Sequence, residues 1–427
     1  MNHSKAFALK GHILYSETPQ KIACVPNGYV VCENNAVTGV FEQLPERFAG
    51  MQVQDFTGKL IIPGLVDLHV HAPQYAFRGL GMDLELLEWL NQNTFPEEAK
   101  YADLAYAQKA YEMFTGALLK SATTRACIFA TLHVPATLLL MDQLEKTGLS
   151  TMVGKVNMNR NSPPGLCEGA AAEVVQQTRE WIQECQGRYR HTSPILTPRF
   201  IPSCTNELMQ GLAGLQKETG LPVQSHLSEN LSEIEWVKEL CPGTSCYAEA
   251  YEKFSLLGGQ GCPTIMAHCV HPQGRELELL KKNGVYVAHC PNSNTNLASG
   301  IAPMRTYLQE GMRAGLGTDV AGGFSLSVFR AMADAIQVSK LRWRLVDDTL
   351  APLTVSEAFY LGTKGGGAFF GKVGSFEPGY EFDAVVLDDA VLPCPYELTP
   401  PQRLERAVYL LGEGNVAAKY AMGRQVL

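Results

Sequence analysis

Residues 60–74 read LIIPGLVDLHVHAPQ, and this run decides how the rest of the chain is read. It is apolar enough to be a strand covered on both faces, the kind a parallel sheet uses. Two histidines interrupt it, and the period-two alternation of a strand sends His69 and His71 to the same face. Two imidazoles converging there suit a zinc-like ion, although an HxH taken alone is equally consistent with two core histidines.

Downstream, apolar strand-like runs alternate with segments such as LAYAQKAYEMFTGALLK and GAAAEVVQQTREWIQEC, whose apolar residues recur at helical spacing. The strand-like runs LIIPGLVDLHVH, TTRACIFA, STMVGKVNMN, SPILTPRF, LPVQSHLS, CPTIMAHCV, GVYVAHCP and RAGLGTD number eight. That alternation predicts an α/β fold, a (β/α)8 TIM-like barrel. Upstream, GHILYSE, YVVCENN, AVTGVFEQL and MQVQDF are short alternating runs, and YEFDAVVLDD and NVAAKYAMGRQVL return to that pattern at the other end. The expected organisation is a barrel over residues 63–371 beside a small β-sandwich domain assembled from 1–62 and 372–427.

Lys+Arg 35 against Asp+Glu 43 gives a net charge of −8, which argues against nucleic acid held on a basic surface. A hydrophobic fraction of 46% and a charged fraction of 18% are ordinary for a globular chain. The 12 cysteines contain no CxxC, and MNHSKAFALKGH lacks the apolar stretch of a signal peptide. No apolar run reaches the ~18 residues of a membrane span. Reduced thiols, no membrane association and a cytoplasmic location are expected. GTKGGGAFFG at 362–371 lacks the GxxxxGK[ST] order of a phosphate loop, so a packing or turn role is expected for it.

In such a barrel the catalytic residues gather where the strands end. His226 ends the fifth run, His268 the sixth and Asp319 the eighth, and with His69 and His71 they offer imidazoles and a carboxylate for a metal with room for water. His289, with Asn292 and Ser293 in HCPNSN, ends the seventh, where polar groups can support the site without ligating.

The runs PGLVDLHVHAPQYAFRG, QSHLSE, AHCVH, HCPNSN and GTD resemble the metal-dependent amidohydrolase superfamily. EWLNQNTFPEE, TPRF and the Gln of HAPQ resemble, more narrowly, its guanine deaminase branch, and the tail GSFEPGYEFDAVVLDD is similar to the closing β segment of these enzymes. The resemblance covers almost the whole chain. It implies hydrolytic deamination of guanine, a small-molecule purine, to xanthine and ammonia, and a homodimer. It further implies one Zn2+ bound by His69, His71, His226 and Asp319, a donor set that Fe2+ also suits. Glu229 and His268 would assist proton transfer, and Gln74, Arg199 and Phe200 would hold the purine with His226 and His268 beside it. Some relatives bridge two metals with a modified lysine ending the fourth strand; here that run ends in Arg199 and Phe200, and one metal is expected.

The residue chemistry runs parallel to the resemblance. Zinc lowers the pKa of bound water to about 7, and the resulting hydroxide can attack an electron-poor amidine carbon such as C2 of guanine. Asp319, a carboxylate beside the metal, is the candidate base. Glu229 lies three residues beyond His226, so it faces away on a continued strand and reaches the site only if the chain turns there. If it does, it can protonate a ring nitrogen and pass a proton to departing ammonia; otherwise it is a solvated loop acid. His268 can donate to the developing negative charge. Arg199 offers a fork of donors, Phe200 a π-face and Gln74 both a donor and an acceptor. Residues 77–101 predict a helix around Trp89 that either walls the pocket or packs in the core. Another aminated heterocycle (8-oxoguanine, a pterin, cytosine or an aminotriazine) is the alternative substrate class, with Gln74, Arg199 and Phe200 as discriminators. A non-catalytic barrel is a further alternative, but it would carry broken ligands, and none is broken. The HxE and PCxxC signature of unrelated zinc deaminases is absent.

Overall fold

The computed structural model describes residues 6–259 and 261–427, so the first five residues of the expected small domain lie outside the described residues. The chain opens with a meander of β1 (Ala6–Thr18), β2 (Lys21–Glu33) and β3 (Ala36–Phe41). Next, β4 (Gln52–Pro63) runs parallel to β1 along its other edge. Gly64 separates β4 from β5 (Leu65–His71), and a Cβ at Gly64 would lie 2.0 Å from Thr124 Oγ1, so the crossing needs glycine. Every residue of β5 is buried, as a strand covered on both faces must be.

Parallel strands then recur in order: β6 (Thr123–Phe129), β7 (Ser150–Gly154), β8 (Val156–Asn157), β9 (Thr192–Pro194), β10 (Thr197–Pro198), β11 (Val223–Leu227), β12 (Thr264–His268), β13 (Tyr286–His289) and β14 (Arg313–Leu316). β5, β6, β7 and β9 pair in that order, as do β11, β12, β13 and β14. β8 pairs with β10, and a Leu196–Val223 bridge joins the fourth position to the fifth. Beyond β14 the chain returns to β5: Asp319 N–H donates to the His69 carbonyl at 2.8 Å and His71 N–H to the Val320 carbonyl at 3.1 Å. The third and fourth runs of the sequence are each broken in two; in the fourth, Pro194 and Pro198 have no N–H to continue a ladder. The glycine-rich run is a packing device, because a Cβ on Gly315 would meet Leu68 Cδ1 at 2.6 Å and Gly366 Cα at 2.7 Å.

Helices cover the strands. In Leu104–Lys120 the cap is Asp103, whose side chain accepts from Ala105 N–H, and Ala107, Ala110, Tyr111, Phe114 and Leu118 form its buried stripe. No helix among the described residues is long and apolar enough to cross a membrane.

The chain closes with β15 (Ala384–Leu387), β16 (Val416–Ala421) and β17 (Arg424–Gln425). These join the first strands in one continuous mixed sheet, ordered β17-β16-β15-β4-β1-β2-β3, where the sequence suggested a sandwich. β15 pairs antiparallel with β4, Leu387 opposite Leu60 and Ala384 opposite Pro63. Alternation along these two strands serves two cores. Leu60, Ile62, Val385 and Leu387 enter the large core, while Ile61, Ala384 and Val386 enter a smaller one with Leu9, Ile13, Phe376 and Phe382. Buried polar links tie the sheet to the strands beneath it. Arg125 on β6 donates to Asp383 (2.5 and 3.1 Å) and to Glu381 (2.7 Å), and Lys419 Nζ donates to the carbonyls of Leu118 and Thr123.

Candidate active site

The ends of β5 and β11 and the loop after β14 bring four side chains to one point. His69 and His71 Nε2 lie 3.2 Å apart, and His71 and His226 Nε2 lie 3.3 Å apart. Asp319 Oδ1 stands 3.1 Å from His69 Nε2 and 3.4 Å from His71 Nε2. A tetrahedral ion with N and O ligands at about 2.0–2.2 Å sets those ligands about 3.3–3.6 Å apart, so these residues fit a divalent ion in spacing and in donor type. Burial, with the neighbouring imidazoles, pushes His71 and His226 well below the usual histidine value, which keeps them neutral and able to ligate. Burial alone would raise the Asp319 carboxyl, but the surrounding His69, His268 and His71 imidazoles outweigh it and hold it low.

Backbone contacts aim the cage. His226 Nδ1 lies 2.6 Å from the Arg199 carbonyl; a carbonyl only accepts, so Nδ1 carries the proton and the Nε2 lone pair points inward. Asp67, which the sequence did not mark out, holds β5 to the Asp319 loop. Its Oδ1 accepts from the N–H groups of His69 (3.2 Å) and Thr318 (3.0 Å), and its Oδ2 accepts from the Thr318 hydroxyl.

Glu229 reaches the pocket because the chain does turn: Ser228 sits at φ 48 and Glu229 begins a capped helix entry. Glu233 Oε2 accepts from the Glu229 N–H at 3.0 Å and, with Asn230, forms the capping box of Leu231–Leu240. Glu229 Oε2 stands 3.3 Å from His268 Nε2, and its Oε1 accepts from the Ser299 hydroxyl. Burial first, then the Asp319 charge, raises the Glu229 carboxyl well above its ordinary value, favouring the protonated acid. His268 Nδ1 faces Asn294 Oδ1 at 2.9 Å, so it carries a proton and turns Nε2 toward Glu229 and, at 3.7 Å, Asp319 Oδ2. The supporting residue of HCPNSN is therefore Asn294. Asn292 instead binds Asp334 and the Phe324 N–H, and neither Ser293 Oγ nor His289 Nδ1 has a hydrogen-bond partner among the described residues.

One cavity is lined by His71, Gln74, Arg199, Phe200, His226, Glu229, His268 and Asp319, while His69 lies fully buried behind it. Leu86, Trp89 and Leu90 close another side, so the helical segment around Trp89 forms a wall. Neither polar wall residue is as free as the sequence suggested. Arg199 Nη1 and Nη2 donate to Glu98 at 2.6 and 3.2 Å, and Gln74 Nε2 donates to Glu98 Oε1 at 2.8 Å while its Oε1 accepts from Ala321 N–H at 3.1 Å. Glu98 lies within the TFPEE run, where the sequence assigns it no role of its own. Nothing in that run tells which of two adjacent glutamates faces inward; Glu97 pairs with Lys100 and Tyr106 instead.

Residues 60–426 match the Amidohydrolase family. The chain is 34% identical over 445 residues to the guanine deaminase of Dictyostelium discoideum, an alignment covering 98% of this chain and 97% of that protein. It is 35% identical over 356 residues to the guanine deaminase of Escherichia coli (strain K12), covering 82% of this chain and 77% of that protein. Among solved structures, guanine deaminase from C. acetobutylicum with bound guanine in the active site is similar at a TM-score of 0.96 and 44% sequence identity, covering 99% of this chain and 100% of that one. With a match that runs from the strand entering the His–Asp cage to the last strand of the sheet, the chain belongs to the amidohydrolase family.

Proposed function

We propose that the chain deaminates guanine hydrolytically, giving xanthine and ammonia, at the cavity where the His–Asp cage meets the Arg199–Gln74 wall. The observation that carries this reading is the meeting of those two features in one pocket of a chain so similar to a guanine-bound relative. His69, His71, His226 and Asp319 would hold one divalent ion, zinc or iron. The chemistry supplied when it is bound is Lewis-acid activation of water near neutral pH.

Asp319 then accepts the water proton as the oxygen attacks C2, and Glu229, held protonated in its buried setting, gives a proton to the adjacent ring nitrogen. His268, at hydrogen-bond reach of Glu229, steadies the negative charge that builds at the attacked centre. The C2–N bond breaks once the amino nitrogen has received the proton that Asp319 took, ammonia leaves, and the remaining hydroxyl proton passes to the Glu229 carboxylate as the C2 carbonyl forms. Arg199 and Gln74 orient the ring through their remaining N–H and lone-pair directions, and Phe200 and Trp89 exclude water around it.

The same reading takes the eight parallel positions as a closed (β/α)8 barrel over 63–371, with 1–62 and 372–427 as a second, small β domain, and a cytoplasmic homodimer as the working form. The test is ammonia release from guanine, 8-oxoguanine, cytosine, adenine and pterin by metal-replete and chelator-stripped protein. Turnover of guanine, lost on stripping and restored by zinc, is the expected result. Silence on guanine with turnover of another ring would sink the substrate assignment.

A further inference from the structure

We propose that Glu98 is a positioning residue that fixes the hydrogen-bonding polarity of the substrate wall, an inference resting on the guanine reading only for the choice of substrate. Glu98 is 2% exposed and does not line the cavity, yet it touches Gln74 and Arg199, which do. Arg199 is itself 3% exposed, and a buried guanidinium needs an opposite charge beside it. The two-point pairing with Glu98 also sets the plane of the fork, leaving three N–H directions of the five for a ligand.

The effect on Gln74 is sharper. An amide can rotate to exchange its oxygen and nitrogen, and only its partners decide which faces where. The Glu98 carboxylate only accepts and the Ala321 N–H only donates, so Gln74 Nε2 must face Glu98 and Oε1 must face Ala321. One N–H and one lone pair of known direction remain. A ring edge carrying a carbonyl beside an N–H, as guanine does, meets a wall whose donors and acceptors are thus set in advance, and an amino-bearing edge such as that of adenine does not.

Glu98→Gln tests this because no arrangement satisfies all the partners. With its oxygen at the Oε1 position the new amide can accept from Gln74 Nε2 and Arg199 Nη2, but its N–H2 then opposes Arg199 Nη1; with its oxygen at the Oε2 position its N–H2 opposes both Gln74 Nε2 and Arg199 Nη2. Rotating Gln74 to accept moves its N–H2 against Ala321 N–H. The expected result is a KM for guanine raised about tenfold or more with kcat changed by less than about threefold, metal content held at one ion per chain, and a non-additive effect in the cycle with Arg199→Met. A crystal structure of Glu98→Gln should show the Arg199 guanidinium displaced or the Gln74–Ala321 hydrogen bond broken. An unchanged KM, additive losses with Arg199→Met, or an unmoved wall would overturn the proposal. If Glu98→Gln does not fold, Glu98→Gln/Arg199→Met removes both charges together and leaves the amide oxygen free to accept from Gln74; Gln74 seated on Ala321 with a KM no worse than in Arg199→Met is then expected, and a KM raised about tenfold above that of Arg199→Met would overturn the proposal equally. Should the unaltered protein turn over no guanine, the functional reading fails alone, since the variant's structure still tests the wall.

Discussion

At the residue scale, the cage and the wall make separable demands. His69→Ala removes one of the converging Nε2 atoms, so metal and activity should be lost together, whereas Arg199→Ala should retain the ion and weaken handling of the substrate. Metal analysis beside steady-state kinetics distinguishes the two, and equal metal loss in both variants would break this division. Glu229→Gln keeps the shape and the hydrogen bond from Ser299 but cannot shuttle a proton, so kcat should fall about 10²–10⁴-fold with the ion still bound.

At the element scale, β5 matters as much for what stands behind it as for what it presents. Asp67→Asn exchanges a carboxylate that accepts three hydrogen bonds for an amide that cannot accept them all, loosening the Asp319 loop from β5. Metal affinity should drop about 10–100-fold, the usual cost of losing the support behind a ligand, as read by a chelator competition. What the sequence disclosed follows the same division. His69 and His71 were legible because strand alternation alone puts them on one face, and His226 because it ends a run in the same register. Glu229 was legible only conditionally, since the positive φ at Ser228 leaves no mark on a serine. Asn294 was missed in favour of its neighbours because a helix begins at Pro291, where a shift of one residue redirects a side chain by about 100°. Glu98 was hidden because a helical segment with a widened turn at Leu90–Thr94 carries it across the pocket, and no local pattern encodes that.

At the scale of the whole molecule, stability rests on buried polar links between the terminal sheet and the parallel strands. Asp383→Ala leaves Arg125 buried with only Glu381 as counter-charge, and should cost about 3–5 kcal/mol, seen as a fall in melting temperature. Lys419 gives a pH signature. Burial lowers its ammonium from 10.5 to about 7, and the neutral amine still supplies N–H donors to the Leu118 and Thr123 carbonyls. Between about pH 7 and 10 the unfolded chain therefore holds a proton there that the folded chain has released, and stability contributed at this site rises with pH; below 7 it levels off. Subtracting the pH–stability profile of Lys419→Met from that of the unaltered protein should leave this rise, with a slope of at most about 1.4 kcal/mol per pH unit. A flat difference would remove Lys419 as its source.

The pairing of β4 with β15 also sets the order of events on the ribosome. Pro63 and Ala384 are partners, so almost the entire chain must be synthesised before β4 is covered on that edge. Until then Leu60, Ile61 and Ile62 present an unpaired apolar strand to every other nascent chain nearby. The completed strands β5 to β14 can assemble earlier, yet the strand that feeds β5 waits for the last part of the message. Translation stalled or cut short before β15 should therefore yield aggregates in place of a smaller soluble protein.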